Sequence, residues 1–162
     1  MNVCARPSDT RDDPGFSLVE LLIVMIIIGI LAAIAIPTFL SQRKNAWNSA
    51  ARTDISNFGL AVESSAVDKG GDLLKVFTTN SVGTALSSNG ALVTANLVTG
   101  VEFRGTLGVN ITLGQAATMA TFCLIGHNTN VGATDGWWTY SKTKGGLQST
   151  VQTTALLAQG SC

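Results

Sequence analysis

The chain has 162 residues, the size of one ordinary domain, and 46% of them are hydrophobic against 12% charged. Disorder is thereby excluded as a description of the whole chain. Ten basic residues balance ten acidic ones, so an excess of Lys and Arg for a phosphate backbone is lacking, and a single histidine, His127, narrows the catalytic options.

The first fifteen residues are polar, with Arg6 and Arg11 set against Asp9, Asp12 and Asp13. From Leu21 to Leu40 the chain then reads LLIVMIIIGILAAIAIPTFL, twenty residues without a charge. As a helix rising about 1.5 Å per residue this run is roughly 30 Å long, the thickness of a bilayer's hydrocarbon core. Three readings compete. A secretory signal peptide has a shorter apolar stretch and a small-x-small cleavage site; Ala33-Ile34-Ala35 supplies the letters, but the apolar run continues to Leu40. A plain membrane anchor accounts for the run and leaves Gly15, Phe16 and Glu20 without a role. The third reading uses those residues. Glu20 sits where the hydrocarbon begins, and a charge there costs roughly 2.5 to 3.5 kcal/mol on insertion scales, which points to function and a partner. Cleavage after Gly15 would create one, because the new α-amino group of Phe16, with a reference pKa of about 7.7 to 8.0, is cationic at neutral pH. The amine can come from the same chain or from a neighbouring copy shifted along the helix axis.

The segment Gly15-Phe16-Ser17-Leu18-Val19-Glu20-Leu21-Leu22-Ile23-Val24, behind a short polar leader and ahead of an apolar helix containing Gly29 and Pro37, resembles the processing site and N-terminal helix of type IV pilins and pseudopilins, with a class III-type cleavage signal. The resemblance covers the first third of the chain. It implies that prepilin peptidase cuts after Gly15 and methylates the amine of Phe16, and that Glu20, Gly29 and Pro37 serve assembly. It further implies partners: other copies in a helical filament, an assembly platform protein with its ATPase machinery, and membrane lipid before assembly. The leader reads Arg11-Asp12-Asp13-Pro14-Gly15, whereas leaders of this family carry Lys or Arg close to the glycine. Arg43 and Lys44 follow the span against the positive-inside tendency, so a cytoplasmic N-terminus follows from the resemblance and not from charge.

Beyond the span, Trp47, Ala51, Ile55, Phe58, Val62 and Ala66 recur at helical spacing, with Asn48, Arg52, Asn57, Glu63 and Ser64 on the opposite face and Lys69-Gly70-Gly71 as a stop. This predicts an amphipathic half-helix over 41–71 whose stripe packs on the protein's own globular part. An unbroken helix from Leu18 to Lys69 would have 52 residues and measure about 78 Å. Pro37 breaks one hydrogen bond in it, and with Gly29 it marks an interval that, by the resemblance, loosens and extends when subunits pack.

From Asp72 onward, β-branched runs alternate with turn residues: Leu73 to Thr78, Ala91 to Val98, Val101 to Arg104, Leu107 to Leu113, Thr118 to Ile125 and Trp137 to Ser141, with Ser81 to Gly90 as a loop. The expected fold is α+β, a long N-terminal helix on a C-terminal antiparallel sheet domain over 72–162. Cys123 and Cys162 can close a loop of forty residues, a link that stabilises by roughly 4 kcal/mol, or remain two thiols; a C-terminal pair of this kind is also similar to the pilin pattern. Cys4 leaves with the leader, residues 1–15. His127, in Gly126-His127-Asn128-Thr129-Asn130, reads as a surface histidine in a polar loop. Asn128, Asn130 and Asp135 match no EF-hand spacing and read as a turn. Trp137 and Trp138 point to opposite faces of a strand.

No catalytic cluster, metal site or cofactor motif emerges. The function that the resemblance implies is that of a filament subunit, not an enzyme, made as a membrane-inserted precursor and expected to end in a surface filament of a bacterium. Two alternatives stay open, a pseudopilin of a type II secretion or DNA-uptake machine and a membrane-anchored binding domain that never polymerises.

Overall fold

The structure, a computed structural model, describes residues 15–97, 100–148 and 152–162, without the side chains of Leu156 and Leu157. The leader residues 1–14, with Cys4, and the end of one expected strand, Val98, lie outside the described residues. The chain divides into two compact units, Met1–Leu40 and Ser41–Cys162.

Helix α1 runs from Leu18 to Asp68 and enters both units. Its end is set by two glycines. Gly71 N–H donates to Ala66 O at 2.8 Å and Gly70 N–H to Val67 O at 3.1 Å, with φ of 75° at Gly70 and 84° at Gly71. That pattern is a Schellman cap, and the left-handed φ it demands is one that a residue without Cβ adopts freely. Within the second unit, Ala51, Ile55, Phe58, Val62 and Ala66 are all buried, and Trp47 at the head of the stripe is half-buried. Two residues expected on the polar face turn inward instead. Glu63 accepts a hydrogen bond from the Tyr140 hydroxyl at 3.1 Å, and Asn48 is pressed against Gly136. Helical periodicity places residues on a face, but it does not show how far the neighbouring loops wrap round it.

The six strands are β1 (Ala85–Ser88), β2 (Ala91–Leu92), β3 (Val109–Gln115), β4 (Cys123–Asn128), β5 (Trp138–Ser141) and β6 (Gly146–Leu147), followed by a short helix α2 (Ala155–Gly160). They form one antiparallel sheet in the order β2-β1-β3-β4-β5-β6. The fold is therefore α+β, a long N-terminal helix packed on a six-stranded antiparallel sheet. Strands β3 to β6 are a meander, and the β1–β2 hairpin adds to its edge with β2 outermost.

Several expected strands are something else. Leu73–Lys75 is a 3-10 turn capped by Asp72, whose Oδ1 accepts from Leu74 N–H at 3.0 Å. The run from Ala91 supplies only the two residues of β2 before a second 3-10 turn, Thr94–Asn96. Val101 to Arg104 is irregular. Conversely, the Ser81 to Gly90 loop contains β1, which owes its place to β3 and to Leu86, fully buried. Its two-residue turn is Asn89-Gly90, with φ of 50° and 79°, the left-handed pair a tight hairpin requires.

Both faces of the sheet are covered. On the helix side lie Ile111, Leu113, Leu124 and Tyr140, with Gly126 so close that a Cβ there would stand 3.1 Å from Ile55. On the other side α2 folds back, and Thr139 Oγ1 donates to Ala158 O at 3.1 Å. Strand β4 is buried along its whole length for this reason. Burying each large apolar side chain contributes about 1.5 to 3 kcal/mol, and Phe58 adds an edge-to-face contact with Phe103 at 5.0 Å. One buried carboxylate also ties the helix to a loop: Asp54 accepts from Thr106 N–H at 2.6 Å and from its hydroxyl at 3.3 Å.

Tyr140 lies across α1 where Gly59 leaves room; a Cβ at Gly59 would come within 2.6 Å of the phenol ring. Burial first, then the charge and hydrogen bond of Glu63, push its phenol up to about 12. The folded state therefore keeps this proton between pH about 10, where an unfolded tyrosine loses it, and about 12. Stability from this group is complete below pH about 10 and declines as pH rises through that window. Tyr140 is the chain's one tyrosine, so its phenolate absorbance can be followed directly. The expected result is ionisation near pH 12 in the folded protein and near pH 10 in denaturant; equal midpoints would contradict the packing described.

Candidate processing and assembly site

The candidate site begins at the start of α1. Ser17 is the helix N-cap, and its Oγ accepts from Val19 N–H at 3.3 Å, while Glu20 Oε2 reaches back to accept from Ser17 N–H at 2.9 Å. This reciprocal arrangement is a capping box, legible in the sequence as Ser17-x-x-Glu20 although the charge at Glu20 draws the eye first. The carboxylate is thus hydrogen-bonded in the uncut chain and directed at the helix N-terminus, one peptide unit from the nitrogen of Phe16. Its position also suits the helix dipole, which favours an anion in the first turn. Phe16 is 86% exposed.

Neither glycine of this region is explained by the chain's own packing. A Cβ added at Gly15 or at Gly29 would meet nothing within 4 Å. Every large apolar side chain from Phe16 to Leu40 is half or more exposed. By length and composition the helix is able to cross a membrane, and none of its most apolar stretch is buried within the protein. Pro37 lies inside α1 without ending it. Beside it the Thr38 hydroxyl donates to Ala35 O at 2.8 Å and approaches Ile34 O at 3.3 Å, the back-bonding to carbonyls of the preceding turn that Ser and Thr make within helices. The sequence reading passed over Thr38; its signal was the Pro-Thr pair.

Comparison with known proteins bears on this same segment. Residues 11–36 match the family described as the prokaryotic N-terminal methylation motif. Its N-terminal segment is thus similar to that of type IV pilins and pseudopilins. The type IV major pilin protein PilA of Myxococcus xanthus is 54% identical over 41 residues, which are 25% of this chain and 19% of that one. The type II secretion system core protein G of Pseudomonas aeruginosa is 34% identical over 58 residues, 36% of this chain and 41% of that one. In each case the matched region spans less than half the relative's length. No solved structure is a significant match.

Within the Ser41–Cys162 unit the C-terminus is closed covalently. Cys123, at the start of β4, is bonded to Cys162, with Cα atoms 5.6 Å apart. The tail is also tied by Lys144 Nζ to Ser161 O at 2.7 Å and Ser141 Oγ to Cys162 O at 3.2 Å. Gly114 makes room for the bridge, since a Cβ there would lie 2.9 Å from Cys162 Sγ.

His127 is not a surface residue of a loop. It lies in β4, 6% exposed, with its ring stacked on Trp137 at 4.4 Å and Nε2 2.7 Å from Gly132 O. Trp137 and Trp138 are both half-buried, Trp138 against the core and Trp137 on His127. Asn128, fully buried, holds a turn by accepting from Asn130 N–H at 3.0 Å. Asp135 pairs with Lys44 at 2.8 Å, and that hydrogen-bonded ammonium holds its carboxyl below the usual carboxylate range. Among the described residues no group of three or more His, Cys, Asp or Glu side chains could hold a metal ion.

Proposed function

We propose that this chain is the precursor of a structural subunit of a type IV pilus-like filament. It inserts in the membrane with its N-terminus cytoplasmic, is cut after Gly15 by prepilin peptidase and methylated on Phe16, and then polymerises through the helix at 16–40. An assembly platform and its ATPase move it from the membrane into a cell-surface filament. The observation that carries this reading is the exposure of every large apolar side chain from Phe16 to Leu40, a run that lies within and just beyond the segment matching the methylation motif. Such a surface needs lipid at first and other copies of itself afterwards. Glu20 pairs with the Phe16 amine of a neighbouring subunit and sets the axial stagger, while Gly29 and Pro37 let the helix extend as subunits pack. The role is structural, and no catalytic chemistry is assigned.

The mature protein is expected to begin at Phe16, to carry one methyl group and to contain 147 of the 162 residues. Intact mass and N-terminal sequencing of the membrane and surface fractions check all three. Gly15→Val is expected to leave full-length precursor in the membrane, because a branched side chain crowds the scissile bond, while a Cβ at Gly15 meets nothing within 4 Å among the described residues. Normal processing of that variant would sink the proposal.

The 58-residue similarity to the secretion protein favours a second reading, a pseudopilin whose short filament stays within the envelope. Shearing separates the two. A pilus subunit is released from the cell surface, and a pseudopilin is processed but stays with the cells. Unprocessed protein in the membrane would instead indicate an anchored domain that does not polymerise.

A further inference from the structure

Immediately beyond the apolar run, α1 carries two cations and a tryptophan, and the structure gives each a different fate. Lys44 is taken by Asp135 at 2.8 Å, an ion pair supplied by the loop between β4 and β5. Arg43 is exposed and lies with its guanidinium 4.5 Å from the centroid of the half-buried Trp47 ring. The contact closes one helical turn, and it suits an indole that leans toward the helix N-terminus, the direction in which helical side chains point. A guanidinium resting on a ring keeps its N–H edges free for planar, bidentate hydrogen bonds to phosphate.

Distance along the chain says where this cluster sits when the apolar run occupies a bilayer. Arg43 and Trp47 follow Leu40 by three and seven residues, about 5 and 10 Å of helix. The headgroup layer on each side of a bilayer is roughly 5 to 7 Å deep. With its ring drawn back to the level of Arg43, Trp47 falls in that layer, where tryptophan is favoured and Arg stems reach toward polar headgroups. Asp135 would repel lipid phosphate if it were free; paired with Lys44 it does not. With Lys44 paired, Arg43 is the cation of the two that has no carboxylate partner among the described residues, which also lightens the conflict with the positive-inside tendency.

We propose that Arg43 and Trp47 form a lipid-headgroup seat: in the unassembled, membrane-inserted protein the guanidinium binds a lipid phosphate while the indole lies among the headgroups. The seat fixes the depth of the helix and holds the Ser41–Cys162 unit at the membrane surface until the subunit leaves the bilayer. This inference rests on the membrane-inserted precursor stage proposed above.

The test uses the full-length chain in phosphatidylglycerol-containing vesicles, with lipids brominated either near the headgroup or deep in the acyl chain. The difference in fluorescence quenching between wild type and Trp47→Phe isolates Trp47 from the other two tryptophans. A second variant, Phe39→Trp in the Trp47→Phe background, serves as a ruler for the apolar run. The seat predicts that Trp47 is quenched by the shallow bromines more than by the deep ones. It also predicts that Arg43→Ala reduces the shallow-quenched fraction relative to the unquenched one by roughly fivefold in anionic vesicles, the effect of one basic side chain near a charged surface, and far less in vesicles of zwitterionic lipid. Deep quenching of the Phe39→Trp probe with no lipid quenching of Trp47 would overturn the seat and leave insertion standing. Absence of quenching at Phe39→Trp would overturn insertion itself, and the seat with it. A fraction unchanged by Arg43→Ala would remove the phosphate contact and so refute the proposal.

Discussion

Glu20→Ala should yield a protein that inserts, is cut after Gly15 and folds its Ser41–Cys162 unit, yet enters filaments poorly. In the monomer the substitution removes one hydrogen bond, that from Ser17 N–H to Oε2, and frays the first turn of α1 at a cost of about 1 kcal/mol. In the filament proposed above the expected loss is larger, because the carboxylate would there be buried beside the Phe16 ammonium of a neighbour, and stripping a buried pair of one member costs roughly 3 to 5 kcal/mol. That corresponds to a fall of about two to nearly four orders of magnitude in subunit association. Glu20→Gln separates the two contributions: it keeps an acceptor for Ser17 N–H and loses the charge. If pairing with the amine drives assembly, Gln should behave as Ala does; if the capping box is what matters, Gln should behave as wild type. The measurement compares sheared surface fractions with membrane fractions, scored for processing. Accumulation of uncut Glu20→Ala would move the residue's role to recognition by the peptidase, and wild-type amounts of processed variant in filaments would refute an assembly role.

Cys123→Ser should cost the folded sheet unit 2 to 5 kcal/mol without altering the N-terminal helix. The bond spans a sequence separation of 39 residues, so its loss returns a long loop's worth of freedom to the unfolded chain. The effect on the native state should be confined. Gly146–Leu147 still pairs with β5, and Gln152 still exchanges both backbone hydrogen bonds with Trp137, at 2.7 and 3.0 Å. The segment released is therefore Thr153 to Ser161 with Cys162, shorter than the whole tail after β5. Hydrogen exchange should accelerate in α2 and hold steady in β3 and β4. Thiol labelling of unfolded, unreduced mature protein provides the direct check, and two reactive cysteines would show that the bond is not made.

How much of this was legible beforehand depends on the range of the interactions involved. The stripe from Trp47 to Ala66 was readable because a helix bonds each residue to the fourth one back, so its buried face repeats in the sequence. The glycine stop at Gly70-Gly71 and the Ser17-x-x-Glu20 cap are equally local, as is the apolar run of twenty residues. The sheet was legible in kind and not in detail. Strand β1 reads Ala-Leu-Ser-Ser and β6 only Gly-Leu, and neither composition marks a strand; each exists because a neighbouring strand offers its hydrogen bonds. The apolar run at Leu73 went the other way, into a capped 3-10 turn for which Asp72 supplies a local hydrogen bond, and pairs only further on, where Phe77 makes an isolated bridge to Leu97.

The candidate site divides along the same line. Sequence alone determined the start of the helix, the exposed carboxylate and the uncharged run, since each is written in consecutive residues and needs no partner from elsewhere in the chain. Tertiary structure alone decided that His127 is buried under Trp137, that Asp54 and Glu63 bond to residues 52 and 77 positions away, and that Asp135 reaches Lys44. The reason is physical: a side chain's burial and charge state depend on which distant segments fold against it, and a polar residue's type records only that it can make such a bond, not with whom.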